Sequence, residues 1–116
     1  MPRPSKRTVK IPGKVITAGS WPARARGLMF RSRQDFTLVL ELPFESRFNS
    51  AIHSMFVFFE FDAVFCNKQK KVVDVRARVK PFSFFIASRA PAKYVVELPA
   101  RTAEKLKIKI GDKLGF

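Results

Sequence analysis

The clearest spacing for binding chemistry in this chain belongs to three cations at alternate positions, Arg76, Arg78 and Lys80. Alternate side chains of a β-strand lie on one face of a sheet, roughly 6.5–7 Å apart. A row of cations with that spacing can follow the phosphates of a nucleic-acid strand. The same pattern also describes an ordinary solvated strand face, so the row alone does not decide between the two.

The whole chain is strongly basic, with a formal net charge of +14 over 116 residues. This excess predicts attraction to polyanions: nucleic acid, an anionic membrane surface or an acidic protein. No acid precedes Asp35, and residues 1–12 combine prolines and cations with little periodicity. We therefore predict a flexible basic arm over residues 1–12, and we expect its cations to join the row in polyanion binding: Arg3, Lys6, Arg7 and Lys10.

Residue types suited to catalysis or metal binding are sparse. His53 is the single histidine, and with Ser54, Asp62 and Cys66 it could form a nucleophile–base group. Such a group is defined by its geometry, and this spacing matches no catalytic motif. Cys66 and His53 have no partners at the spacing of a zinc site. The glycines are scattered, so the sequence contains no glycine-rich loop that could bind a phosphate. We expect no catalytic residue, metal site or cofactor, and a binding protein rather than an enzyme.

Asp62 lies in the most apolar stretch of the chain, between Phe61 and Val64. A buried carboxylate needs hydrogen-bond donors or a cation, and Arg24 or Arg26 could supply one. The resulting contact would be a structural clamp or the floor of a small pocket. Ion-pair networks with a purely structural role shift the pKa of carboxylates as functional sites do. We therefore favour the structural clamp over the pocket.

The elements that must position these residues are mostly strands. Alternation and apolar runs predict strands over 15–18, 36–42, 55–59, 61–66, 72–80, 93–98 and 113–116, with a further candidate over 82–86. In 72–80 one face is predicted to point inward and the other outward: Val73, Val75, Ala77 and Val79 inward, and Asp74, Arg76, Arg78 and Lys80 outward. Ser20 can cap a helix whose apolar face includes Leu28, and a second helical turn fits 101–107.

These elements predict a mainly β fold with a minor helical part. About seven short strands and two short helices fit a compact antiparallel β-sandwich or a partly closed barrel. No long helices separate the strands, which argues against parallel βαβ units. We expect a single domain over residues 13–116 behind the arm.

The sequence also bears on where the protein resides. Cys66 is the single cysteine, so no intrachain disulfide can form, which fits a reducing compartment. The longest apolar run, 55–66, contains Glu60 and Asp62 and is too short to span a bilayer. The basic start is not followed by an apolar signal segment, because Lys14 interrupts the only candidate. We expect a cytoplasmic protein without a transmembrane segment.

Several segments together are similar to those of a known family. They are residues 25–31 (ARGLMFR), 53–59 (HSMFVFF), 61–65 (FDAVF), 92–99 (AKYVVELP) and 111–114 (GDKL). In this order they resemble the domain of unknown function 192 family of archaeal and bacterial proteins, over about residues 15–116. The resemblance implies a compact β-rich domain with short helices, and it implies no established activity, ligand or cofactor.

The residues that match the family motifs also define a second candidate site. The resemblance points to Arg26, Gly27, Met29, Met55 and Asp62 as the positions of a shared pocket, and the candidate lining is Arg26, Met29, His53, Met55 and Asp62. Three functional hypotheses follow. The first is a non-catalytic module that binds RNA or DNA through phosphates. The alternatives are a small-ligand or enzymatic pocket at these residues, and an interaction domain for an acidic protein; the oligomeric state is left open.

Overall fold

The computed structural model describes residues 7–19, 28, 34–46, 57–83 and 86–116. Within these residues the chain forms seven strands and one short helix. In chain order they are β1 Thr8–Lys10, β2 Val15–Ala18, β3 Thr37–Ser46, β4 Phe61–Cys66, β5 Val72–Val79, β6 Ala92–Pro99, α1 Thr102–Lys105 and β7 Lys113–Gly115.

Five strands form one sheet in the order β2-β3-β6-β4-β5, and β1 and β7 form a second sheet. The prediction of a mainly β fold with about seven short strands is confirmed, and these sheets do not close into a barrel. Two pairs, β2–β3 and β1–β7, are parallel rather than antiparallel. Residues 19–36 between β2 and β3 are long enough for the crossover that a parallel pair requires.

The two faces of the large sheet carry separate apolar clusters. Strand β4 is buried along its whole length, and its residues alternate between the clusters. Phe61, Ala63 and Phe65 belong to the first core, which also contains Leu28 and Val57. The second core lies on the other face and is formed by Val64 and Cys66 of β4 with residues of both sheets and α1, among them Val9, Val39, Val96, Ala103 and Leu114. The small sheet therefore packs over one face of the large sheet.

Strand β1 lies within the segment predicted as the flexible arm. Its residues pair with β7 in the register Thr8 with Lys113 and Lys10 with Gly115. Val9 and Ile11 are buried in the second core. The described part of the predicted arm, residues 7–12, is therefore packed against the domain, because its two apolar side chains are spaced to reach the core.

The predicted and observed elements agree best where the pattern is local. Strands β2 and β4 have the predicted bounds, and α1 lies within the predicted helical turn. The strand predicted over 55–59 differs, since Val57, Phe58 and Phe59 lie outside any strand. The helix predicted after Ser20 lies outside the described residues except for Leu28, which is buried in the first core.

Strand β5 contains two irregularities that change which way its side chains face. Its register with β4 shifts once between Phe65 and Cys66 and again between Phe61 and Ala63. At the second shift, Val79 pairs with Phe61 but Arg76 pairs with Ala63, so β5 carries one extra residue. An extra residue in one strand is a β-bulge and breaks the period-two alternation.

Candidate functional site

Arg76 stands on the bulged strand with its guanidinium held by neighbouring groups. Its Nε atom lies 3.3 Å from Oδ2 of Asp74, and its Nη2 atom donates a 3.1 Å hydrogen bond to the carbonyl of Ala87. Asp74 is buried and also accepts hydrogen bonds from the backbone N–H groups of Val75 and Arg89. Part of the Arg76 charge is therefore balanced within the fold.

Arg78 lies in the bulge and has a left-handed backbone conformation, with φ at 50°. Its side chain is exposed. The bulge places Arg76 and Val79 at positions opposite Ala63 and Phe61, two residues of the first core. The period-two prediction for this strand is wrong here, because the extra residue prevents Arg76, Arg78 and Lys80 from forming one regular row.

A turn follows β5 and carries the third predicted cation. Lys80 is exposed, and its carbonyl accepts a 2.9 Å hydrogen bond from the hydroxyl of Ser83. Phe82 lies between them with φ at 59°, a conformation that is rare for a bulky side chain. The turn directs Phe82 to the surface, where 44% of it is exposed.

The ring of Phe82 does not stand alone on this surface. Phe58, which is 59% exposed, contacts it in an edge-to-face arrangement with ring centroids 5.7 Å apart. The chain contains thirteen Phe residues, and side chains of this type usually lie in the core. Phe61 and Phe65 do, whereas this pair forms an exposed aromatic surface next to Lys80.

An open cleft of about 480 Å³ lies beside the turn. The described residues of its lining are two cations, a hydroxyl and three apolar side chains: Arg76, Lys80, Ser83, Val79, Ile86 and Ala87. No acid is among these lining residues, although Asp74 pairs with Arg76 from behind. The cleft can therefore receive an anionic group with an apolar portion.

The predicted arm cations fall into different environments. Arg3 and Lys6 lie outside the described residues. The guanidinium of Arg7 pairs with the buried carboxylate of Asp112 at 2.8 Å and also donates to the carbonyl groups of Leu106 and Lys107. Arg7 thus fastens β1 to the turn before β7, and Lys10 remains exposed.

Asp62 is fully buried and serves as a structural clamp. Its Oδ1 atom accepts a hydrogen bond from the N–H of Arg78, and its Oδ2 atom accepts one of 2.9 Å from the N–H of Ala103. Ala103 is the second residue of α1, and Arg101, the residue before the helix, supplies no side-chain cap. Asp62 therefore takes the place of a capping residue, because it satisfies one of the unpaired N–H groups of the first turn.

The second predicted site is only partly described. Arg26, Met29, His53 and Met55 lie outside the described residues. Asp62 contacts α1 on the second-core face, whereas Leu28 and Val57, neighbours of those residues in sequence, are buried in the first core. The sheet thus separates Asp62 from Leu28 and Val57.

A different acid lies on the first-core face. Glu97 of β6 is 3% exposed, and it pairs with Leu38 and Ala63, both first-core residues. No hydrogen bond or ion pair joins its carboxyl group to a described residue. Burial raises the pKa of Glu97 to about 8. This group carries its proton at neutral pH. Neither Glu97 nor the other two buried acids, Asp74 and Asp112, was singled out from the sequence.

Among the described residues, the other groups considered for chemistry show no reactive arrangement; His53 and Ser54 lie outside them. Cys66 is fully buried, and burial raises the pKa of its thiol to about 12, against a smaller opposing effect of Lys70. A thiol with that pKa is a poor nucleophile at neutral pH. In the described part of the chain, no three His, Cys, Asp or Glu residues are grouped to hold a metal ion. No helix there is long and apolar enough to cross a membrane.

Comparison with known proteins decides the family. The family model of the domain of unknown function 192, described as "Uncharacterized ACR", matches residues 4–116. The chain belongs to this family. Among curated relatives, the UPF0127 protein of Pyrococcus abyssi is 39% identical over 108 residues, which cover 93% of this chain and 90% of that protein. The UPF0127 protein of Pyrococcus furiosus is 39% identical over 101 residues, 87% and 84% of the two chains.

Two solved structures share the fold of this family member. A candidate transcription regulator from Sinorhizobium meliloti 1021 superposes with a TM-score of 0.78 at 24% identity, over 84% of this chain and 76% of that one. A protein of unknown function from Novosphingobium aromaticivorans superposes with a TM-score of 0.75 at 22% identity, over 85% and 71%. At these identities the likeness establishes the fold alone.

Sequence reasoning missed the aromatic part of the surface on this DUF192 domain. Phe82 follows Pro81 directly after a predicted strand, which is a turn signal, and a side chain in a turn is more often exposed. That signal could have separated Phe82 from the core residues. No comparable signal marks Phe58, because its exposure depends on how the chain enters β4.

Proposed function

We propose that this protein is a non-catalytic module that binds single-stranded nucleic acid at the end of β5. The observation that carries the proposal is the exposed Phe58–Phe82 pair at the end of β5, where the exposed cations Arg78 and Lys80 also lie. Single-strand binding commonly combines a cationic surface that follows the backbone with aromatic rings on which bases stack.

The parts of this surface support different contacts. The ring of Phe82 offers a stacking partner for a base, and the Lys80 ammonium and Arg78 guanidinium offer contacts to phosphates. Arg76 contributes less, because Asp74 and the Ala87 carbonyl already hold its guanidinium. Contacts of these kinds are largely independent of sequence, since every base has a stacking face.

The backbone conformation of Phe82 also supports the proposed binding function. A bulky residue with φ at 59° has an unfavourable conformation that costs about 1–3 kcal/mol. Residues held in such conformations cluster at functional sites. The fold sustains this cost and keeps the ring exposed rather than turning it into the core.

The test measures the affinity of the full chain for a fluorescent oligothymidylate by anisotropy. Phe82→Ala is expected to weaken binding by about 5- to 150-fold, because stacking on one ring contributes about 1–3 kcal/mol per base. Phe44→Ala is the matched control. Phe44 is also exposed, at 57%, but it lies on β3, with β6 and β4 between it and β5.

The charge contribution is tested by repeating the titration across salt concentrations. Lys80→Gln should reduce the slope of log affinity against log salt by about 0.7, the value for one phosphate contact on a single strand. Lys14→Gln removes an exposed cation beside β2, at the opposite edge of the sheet, and should change the slope much less. The absence of binding at low salt, or equal effects of Phe82→Ala and Phe44→Ala, would overturn the proposal.

A further inference from the structure

A second cationic surface lies on the small sheet. Lys113 of β7 pairs with Thr8 of β1 on one side, and on the other side its backbone forms an isolated antiparallel β-bridge with Lys71. Lys10 follows Thr8 at the alternate position of β1. Because Val9 and Leu114 are buried on the inner face, the side chains of Thr8, Lys10 and Lys113 lie on the outer face. We call Lys10, Lys71 and Lys113 the lysine face; all three are exposed.

The charge of the lysine face is not balanced locally. In the described part of the chain, no acid forms an ion pair with these three ammonium groups. The neighbouring acid, Asp112, is fully buried, and its carboxylate accepts from the guanidinium of Arg7 and the N–H of Lys109. The three lysines therefore present their full charge to a partner.

The lysine face and the aromatic surface are joined by one strand. Lys71 directly precedes β5 and Lys80 directly follows it, and β5 is an edge strand of the large sheet. Eight strand residues at about 3.3 Å each place the two ends of β5 up to about 26 Å apart. A nucleic-acid strand advances about 3.4 Å per nucleotide when it is stacked as in a duplex and more when it is extended, so about eight nucleotides are enough to cover that distance.

We propose that a single strand bound at the Phe58–Phe82 pair continues along the β5 edge to the lysine face. The inference rests on the proposed function and adds to it a second contact region and a minimum ligand length. A ligand that reaches both regions makes about three more phosphate contacts than one confined to the aromatic surface, one for each lysine.

The test combines a length series with a lysine-face variant of the full chain. Oligothymidylates of about 4, 8 and 12 nucleotides are titrated against wild type and against the triple variant Lys10→Gln, Lys71→Gln and Lys113→Gln. We expect wild-type affinity to rise steeply between the short and the long ligands. The triple variant should bind the shortest ligand nearly as wild type does. For the longest ligand it should lose about two from the salt slope, since each contact contributes about 0.7.

The controls separate this inference from the proposed function. Lys14→Gln shows how much affinity changes when one exposed charge outside the lysine face is removed, and circular dichroism of the triple variant checks that it folds. If short ligands bind through Phe82 but longer ones gain nothing, or if the triple variant weakens all lengths equally, the inference is wrong and the proposed function stands. If no ligand shows Phe82-dependent binding, both are wrong.

Discussion

The Oδ1 atom of Asp62 accepts a hydrogen bond of 2.8 Å from the backbone N–H of Arg78. This bond joins a fully buried acid of β4 to the bulge that carries an exposed cation. The second oxygen of the same carboxylate holds the first turn of α1 through Ala103. The acid therefore contributes no charge to the surface, but it fixes the backbone from which Arg78 extends.

Asp62→Asn should lower the free energy of unfolding by about 1–3 kcal/mol. The asparagine side chain has one acceptor oxygen, and its NH₂ group would face a backbone N–H that then loses its partner. Denaturant unfolding measures the change. Glu60→Gln, at an exposed position two residues earlier, removes the same charge and should change stability by less than about 0.5 kcal/mol. Equal effects of the two substitutions would contradict the role given to Asp62.

Phe82→Gly should give a more stable protein than Phe82→Ala, by about 1 kcal/mol. Both substitutions remove the ring and its contact with Phe58, but only glycine adopts a φ near 59° without a steric penalty. Both variants should bind nucleic acid equally weakly. Thermal unfolding and anisotropy separate the two properties, and an alanine variant as stable as the glycine variant would show that this backbone is not strained.

Arg7→Gln and Lys10→Gln should affect different properties, although the two cations are close in sequence. Loss of the Arg7 guanidinium leaves the buried carboxylate of Asp112 without that ion pair, so the free energy of unfolding should fall by about 2 kcal/mol. Lys10 is exposed on the lysine face, so its substitution should reduce the salt slope for long ligands and leave stability nearly unchanged. Urea unfolding and salt titration of both variants check the distinction; a reversal would contradict it.

The sequence predicted best those elements that depend on local pattern. The strand of residues 61–66 is an uninterrupted apolar run except for Asp62, and its bounds agree with β4. The helical turn predicted over 101–107 follows Pro99 and contains α1, and such a proline is a local signal because it restricts the backbone. The mainly β class followed from such elements together.

The misplaced features depend on contacts between distant residues. The bulge in β5 is set by its pairing with β4, so the alternation of valines and cations could not show that Arg78 breaks the row. The lysine face forms only where β1, β7 and the start of β5 lie side by side. The hydrophobic periodicity of a single segment does not predict which distant segments pair. Asp62 attracted attention because of its apolar neighbours. Glu97, which was not singled out from the sequence, lies on the same face of the large sheet as the first core and its residue Leu28.

Glu97 should make the protein less stable as the pH rises from about 4.5 to about 8. Burial raises the pKa of this carboxyl to about 8 in the folded state, whereas in the unfolded chain it is near 4.5. Between these values the folded protein holds a proton that the unfolded chain has released. Folding stability therefore falls with rising pH, by up to about 5 kcal/mol if this group acts alone.

Glu97→Gln removes this titration while keeping the size of the side chain. The variant and the wild type should be nearly equally stable near pH 4.5, where the glutamic acid is largely protonated in the folded state. Above pH 8 the variant should be the more stable, because the wild type must then bury a charge. Urea unfolding at several pH values measures both curves, with the exposed Glu104→Gln of α1 as the control. Parallel curves for wild type and Glu97→Gln would mean that the carboxyl is already ionised, and hence solvated or paired, in the folded protein.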